Sequence, residues 1–404
     1  MVNSIHLLKN PIMQYAWGSH TALAELTGRP APSVQPEAEL WMGAHPKAPS
    51  TVIVDGGGDT SLLKLIDAHP VDILGQETAA AYGNRLPYLF KVLAIEKALS
   101  IQAHPDLSQA RDGFQRENRR QLALDAPERN YRDGNHKPEL ICALTPFWAL
   151  NGFRAAAEME TYLRQGCGPP LESALENLSG APVVGGLKGL VGRLLNMGAK
   201  EICAILDAVV GYARERQPGD PVFDWVIRLH DMFPGDIGAL FPCILNLVRL
   251  EPGQAMYLPA GQLHAYLGGV GVELMANSDN VLRGGLTSKH VDVPELLQVV
   301  VFEEQPLKTL FPREKSPCEK VYATPAEEFE LSVIHPSDGC VYRSGGKRSA
   351  EILLATDGRV AVFDDTKDTT IELVRGMAAI VPASVDRYSI SGRGTVYRAG
   401  VGAL

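Results

Sequence analysis

Four side chains with metal-ligand chemistry sit on segments that turn them toward shared faces. They are Gln102 and His104 in SIQAHPD (Ser100 to Asp106), Glu139 in NHKPEL (Asn135 to Leu140) and His264 in PAGQLHAY (Pro259 to Tyr266). Side chains of an extended strand alternate between faces, so Ser100, Gln102 and His104 share one face while Ile101 and Ala103 take the other. Pro105 disfavours helical backbone at His104, and Pro138 does the same at Lys137. Both segments are therefore expected to be extended, with Lys137 and Glu139 on one side. His136 then points away and reads as packing or support. Zinc accepts imidazole nitrogen and carboxylate oxygen, and a Gln carbonyl adds a neutral oxygen. One carboxylate against a dication leaves roughly one positive charge, which suits a Lewis acid that polarises a carbonyl or binds its oxygens.

A second concentration of functional groups lies in ELMANSDNVLRGGLTSKH, where Glu273, Asn277, Asp279, Asn280, Arg283 and Lys289 fall within 18 residues. It reads as a long polar loop, and loops on rigid scaffolds commonly carry binding and catalysis. Arg283 and Lys289 can hold a phosphate, the arginine through a bidentate fork. The remaining histidines (His6, His20, His45, His69, His230, His290 and His335) have no such setting and read as structural or exposed.

These groups need elements to position them. LPYLFKVLAIEKAL (Leu86 to Leu99) has the composition of a buried strand. AELWMGAHPKAPSTVIV reads as strand, turn, strand, and SLLKLIDAH as a short helix, so residues 1 to 150 look β-rich. From about 155 to 233 helical spacing takes over. In KEICAILDAVVGYARERQ, Ile202, Ile205, Leu206, Val209, Val210 and Ala213 form one stripe. Strand character returns at Ile244 to Gly285, HVDVPELLQVVVF opens a short helix with Pro294 in its first turn, and short strands resume from about 305. PGQAMYLPAGQLHAY resembles RGMAAIVPASVDRYSI, and setting Pro259 on Pro382 places His264 opposite Arg387. Two related β-barrels follow, of which only the first can use this histidine for a metal. The glycine, five residues, Pro-Ala-Gly and histidine spacing is that of a cupin barrel.

Composition narrows the rest. The chain has 404 residues, net charge −9 and six cysteines without a CxxC. The acidic balance excludes a nucleic-acid partner, which needs clustered Lys and Arg. No apolar run reaches membrane-spanning length, and the start lacks a secretory leader. Reduced thiols in a cytoplasm are expected rather than disulfides, and no dimerisation pattern is evident, so a monomer is expected.

SIQAHPD, NYRDGNHKPEL, LPAGQLHAYLGGVGVELMANSDNVLRGGLT, QYAWGS and AELWMGAHP together resemble, in order along residues 10 to 300, the type I phosphomannose isomerase family. The resemblance implies a mainly β fold with an α-helical insertion: two cupin-like jelly-roll domains plus a helical domain. Residues 1–150 and 235–300 would form the catalytic domain, 151–234 the helical domain and 301–404 a second cupin-like domain without metal ligands. It implies zinc-dependent interconversion of mannose 6-phosphate and fructose 6-phosphate through a cis-enediol. One zinc per chain would be held by Gln102, His104, Glu139 and His264. Arg283 matches the family's active-site arginine, Glu273 or Asp279 would take the carbon proton with Glu273 favoured, Lys137 would move protons between the oxygens, and Lys289, Tyr266, Asp279, Ser100, Lys91, Trp17 and Glu39 would lie in or near the substrate pocket. The nucleotidyltransferase domain of the family's long members has no counterpart in the sequence, so isomerase activity alone is expected. Two other readings compete: a redox cupin, which would more often use three histidines and iron, and a non-catalytic sugar-phosphate binder.

Overall fold

The apolar run around Leu89 forms a strand, Tyr88–Ile95, in which every residue is buried. Continuous burial on both faces explains why its sequence does not alternate. The computed structural model describes residues 3–54, 56–167, 171, 172, 175, 178, 183–216 and 219–402. Among them Tyr88–Ile95 lies between Glu39–Met42 and the 13-residue strand His264–Ala276.

His264–Ala276 is the axis of the site-bearing sheet. Its first half pairs with Phe147–Phe153 and with Ile101–Ala103, its second half with Glu139–Ala143 and Tyr88–Ile95. The change of partners falls at LGGVG. Gly269 has φ +117°, and a Cβ there would lie 2.6 Å from the carbonyl oxygen of Pro146. Only glycine takes that backbone at that approach without strain. The sheet has ten strands, and its pairings are antiparallel.

An eleven-stranded antiparallel sheet carries the C-terminal residues. The strand His6–Lys9, expected with residues 1–150 beside the site, pairs instead with Ala378–Val381 of this second sheet and with Thr51–Val52. The repeat has a structural counterpart. The alignment that sets Pro259 on Pro382 also sets strand Ala255–Leu258 on Ala378–Val381, and the long strand His264–Ala276 on Tyr388–Gly400 to within a residue.

Between the two halves of the site-bearing sheet come helices Ala156–Cys167, Val183–Leu195, Ala199–Arg216 and Pro221–Met232. The expected stripe of Ala199–Arg216 is buried at Ile205, Leu206, Val209, Val210 and Ala213, while Gln217, the end of that expected segment, lies outside the described residues. Asp220 caps the last helix by accepting from the Val222 amide at 2.8 Å, with Pro221 at its first position. These helices share a core with Leu150 and Phe153 of the sheet and with Leu263 just ahead of its long strand, so they brace its outer face. No helix among the described residues is long and apolar enough to cross a membrane.

One expectation is corrected. Cys318 and Cys340 form a disulfide. Their separation of 22 residues carries no local signature; the fold brings them together, as the backbone bond from His335 N to Cys318 O (2.8 Å) and the Ser337–Cys340 turn show. Cys142, Cys167, Cys203 and Cys243 are free, and all but Cys203 are buried.

Candidate active site

Gln102 is the middle residue of a three-residue strand, with His264 opposite it on one neighbour and Arg283 on the other. Two residues on, His104 ends the extended run, and Asp106 caps the following helix through a reciprocal pair with Gln109. Glu139 opens its strand opposite Leu258 and Met275. The three buried side chains His104, Glu139 and His264 converge: their ligating atoms all lie within 4.8 Å of one another. His104 Nε2 is 3.3 Å from Glu139 Oε1, and His264 Nε2 is 3.4 Å from Glu139 Oε2.

Both imidazoles are oriented from behind. His104 Nδ1 lies 2.7 Å from the Asn280 carbonyl oxygen and His264 Nδ1 2.9 Å from that of Gln262. A carbonyl only accepts, so each Nδ1 carries a proton and each Nε2 is turned toward Glu139. His104 Nε2 is buried without a hydrogen-bond partner. Burial, with Lys137 second, lowers the His104 pKa to about 4 and keeps the ring neutral. Burial would raise the Glu139 carboxyl, but Lys137 and His104 outweigh it and hold the group well below the usual carboxylate range. Lys137 Nζ is 2.7 Å from Glu139 Oε1, as the Lys-Pro-Glu spacing requires. Gln102 Nε2 donates to Ser100 Oγ at 3.1 Å, which leaves its carbonyl oxygen as the available end. Two imidazole nitrogens, a carboxylate and an amide oxygen are a donor set that fits a zinc ion.

Beside this cluster lies a second polar group in an otherwise apolar layer. Lys91, midway along the buried strand, faces Trp41 on one neighbour and Glu273 on the other. Its Nζ is 3.0 Å from Glu273, 3.5 Å from Glu39 and 5.4 Å from the centre of the Trp41 ring. Burying an unpaired charge costs several kcal/mol, and two carboxylates offset that. Burial alone would lower the Lys91 pKa, but Glu273 and Glu39 drive it above the ordinary lysine value. The Glu273 carboxyl moves up, because burial outweighs Lys91. Tyr266 donates to Glu139 Oε2 at 3.4 Å, and burial together with Glu139 and Glu273 raises its pKa well above the usual phenol.

Glu39, Lys91, Ser100, Gln102, Lys137, Glu139, His264, Tyr266 and Glu273 line one cavity. Trp17 packs on the cluster that contains Tyr266 and stacks on Tyr15 at 5.8 Å. Asp279, Arg283 and Lys289 stand outside the lining. Asp279 is bound to Lys47 at 2.7 Å, with His45 at 3.6 Å. Glu273 is not on a loop: the strand runs through it to Ala276, and Leu282–Gly285 forms another strand. The sequence does not single out two contributors: His45, expected to be structural or exposed, is buried edge-on to Trp41 at 5.0 Å, and Lys47 pairs with Asp279. Asn280, expected among the functional groups of its segment, is fully buried and acts through its backbone, fixing His104 with its carbonyl. His45 and Lys47 both fall in AELWMGAHPKAPSTVIV, where the turn between the two expected strands carries them.

The two antiparallel sheets and the carboxylate between paired imidazoles define a cupin-type protein with a site fit for a metal ion. A family model described as phosphomannose isomerase type I, catalytic domain, matches residues 5–156. The mannose-6-phosphate isomerases of Shigella flexneri and Escherichia coli are each 40% identical over 97% of this chain and 98% of theirs, and that of Homo sapiens is 34% identical over 92% of both. The chain belongs to the type I phosphomannose isomerase family. A zinc-bound crystal structure of mannose 6-phosphate isomerase superposes with TM-score 0.91 at 39% identity, covering 99% of this chain and all of the other. A point variant of Salmonella typhimurium phosphomannose isomerase superposes at 0.92 with the same coverage.

Proposed function

We propose that this chain is a zinc-dependent mannose-6-phosphate isomerase, interconverting mannose 6-phosphate and fructose 6-phosphate through a cis-enediol. The observation that carries the reading is the pair of imidazoles locked by backbone carbonyls with both Nε2 atoms turned on Glu139, one of them buried and partnerless. His104, Glu139 and His264 would hold zinc, with Gln102 as a fourth ligand. A zinc ion held there would supply positive charge for the sugar oxygens of the reacting centre.

The residues of the chain divide the proton traffic. Glu273 takes the proton from C2 of the aldose and returns it to C1. Its raised pKa suits a base working near neutrality. Lys137 gives a proton to O1 as the C1 carbonyl becomes a hydroxyl and recovers one from O2 as C2 becomes the carbonyl, so the reaction is balanced without a redox partner. Lys91, paired with Glu273 and Glu39, fixes the base. Arg283 and Lys289 bind the phosphate, and Trp17, Tyr266, Ser100, Glu39 and Asp279 shape the pocket.

The test is conversion of mannose 6-phosphate by purified protein, before and after chelation and zinc restoration. Turnover lost to the chelator and restored by zinc is expected. Absence of turnover with zinc bound would overturn the activity; turnover unaffected by complete metal removal would keep the activity and remove the metal role.

A further inference from the structure

The segment leading into Lys137 and Glu139 is laid against the segment that carries Arg283 and Lys289. Two ties hold it there. The Arg132 amide donates to Asn280 Oδ1 at 2.7 Å, and Asn130 Nδ2 donates to Asp292 Oδ2 at 2.9 Å. Arg283 and Lys289 lie in sequence between those two anchor points, and Arg283 stands opposite Gln102 in register. Arg132 is therefore brought to the same edge of the site.

The three cations have no anion among them. None of Arg132, Arg283 and Lys289 forms an ion pair among the described residues. The nearby carboxylates are committed elsewhere. Asp133 accepts from the amides of Asn135 and Asp279 and from Ser278 Oγ. Asp292 accepts from Asn130 and from the Glu295 amide, Glu295 from Arg116 and Tyr131, and Asp236 from the amides of Gly238 and Thr287. Arg132 and Arg283 are half-buried. Burial lowers the Arg283 pKa and Arg132 lowers it further; for Lys289 burial comes first, then Arg283, then Arg132. Like charges held together destabilise a fold by themselves, and an arriving anion relieves them.

We infer that Arg132 is a third phosphate-binding cation, completing with Arg283 and Lys289 a receptor for the dianionic phosphate at the end of the sugar away from C1 and C2. This rests on the isomerase reading above and adds a residue to it. A phosphate monoester dianion offers three acceptor oxygens, and three cations from two segments match that number. Arg132 comes from the same loop as Lys137 and Glu139, so phosphate capture and the reacting centre share one piece of backbone.

The test uses the zinc-loaded full chain as wild type, Arg132→Gln and Arg132→Lys. Steady-state kinetics with mannose 6-phosphate are combined with calorimetric titration of inorganic phosphate; zinc content and melting temperature check folding. Arg132→Gln is expected to raise KM about tenfold, with kcat falling far less, and to weaken inorganic phosphate binding by a similar factor. Arg132→Lys should recover part of both. An unchanged KM, or a raised KM with phosphate binding unaltered, would overturn the assignment. Phosphate binding that depends on Arg132 in a protein without isomerase activity would keep the receptor and remove the reaction.

Discussion

Glu139 and Glu351 occupy the same register position in the two sheets. Glu139 faces Leu258 and Glu351 faces Val381 across their strand pairs, and Leu258 and Val381 coincide when the repeat is aligned. What surrounds each carboxylate differs in kind. Around Glu139 stand two imidazoles and Lys137. Around Glu351 stand Arg398, whose guanidinium is bonded to it directly, the Tyr388 hydroxyl donating at 2.8 Å, and Arg348 at 3.6 Å. The guanidinium of Arg398 also reaches Glu319 at 2.7 Å, Glu330 at 2.8 Å and Ser332 at 2.9 Å. One sheet gathers lone pairs for a cation from outside; the other carries its own.

Replacing Arg398 should therefore unfold the C-terminal sheet more readily. Arg398→Met leaves buried Glu319 without its counter-charge and buried Glu351 with only Arg348 at 3.6 Å. Breaking a buried pair from one side costs about 3–5 kcal/mol. Urea unfolding should show that loss, while turnover per folded molecule stays near wild type because the metal cluster lies in the other sheet. A loss below about 1 kcal/mol would show that Arg398 does not hold these carboxylates together.

The reach of the sequence ends where local periodicity ends. Strand alternation placed Gln102 with His104 and Lys137 with Glu139, because both relations lie within a few residues. Helical stripes in the Ala199–Arg216 stretch and the Pro259/Pro382 repeat were legible for the same reason: each is a pattern along the chain. Lys91 was different. Its strand reads as wholly apolar, and the carboxylates that make its burial tolerable, Glu39 and Glu273, come from distant strands. The polar run after Glu273 looked like a loop because its buried residues are satisfied by partners far along the chain, as Asn280 is by Asp133 and Asn135. The Cys318–Cys340 bond and the pairing of His6–Lys9 with Ala378–Val381 are long-range contacts of the same sort.

Lys47 should set the pH at which the Asp279 carboxyl takes up its proton. Burial would raise the Asp279 carboxyl, but the Lys47 hydrogen bond and His45 outweigh it and hold the group below its ordinary value. A carboxyl depressed in the fold is ionised there while the unfolded chain is still taking up protons. Its contribution to stability is present above the unfolded value near 3.9 and is lost as pH falls through the folded one. Lys47→Met removes the main support for ionisation, so the Asp279 carboxyl should titrate at higher pH when followed by carbon NMR, while the acid limb of kcat/KM, which follows the raised Glu273 carboxyl, stays in place. The pair is partly exposed, and the stability change should stay below about 1 kcal/mol. An Asp279 titration that does not move would show that Lys47 does not hold this carboxyl down.

Glu273 and Asp279 are the two carboxylates that could take the carbon proton, and their surroundings separate them. Asp279 is drawn down by Lys47 and His45, which makes it the weaker base. Glu273 is pushed up by burial and lines the same cavity as Glu139 and Lys137. Glu273→Gln keeps the shape of the side chain and an oxygen for Lys91 while removing the base. Positioned general bases contribute about 10²–10⁴ in rate, so kcat should fall by that order with zinc content unchanged and KM little altered. Exchange of the C2 hydrogen of mannose 6-phosphate with deuterated solvent, followed by proton NMR, isolates the step: it should be lost in Glu273→Gln and survive in Asp279→Asn. Exchange retained in Glu273→Gln and lost in Asp279→Asn would reverse the assignment, and with it the view that burial, more than exposure to the pocket mouth, selects the base.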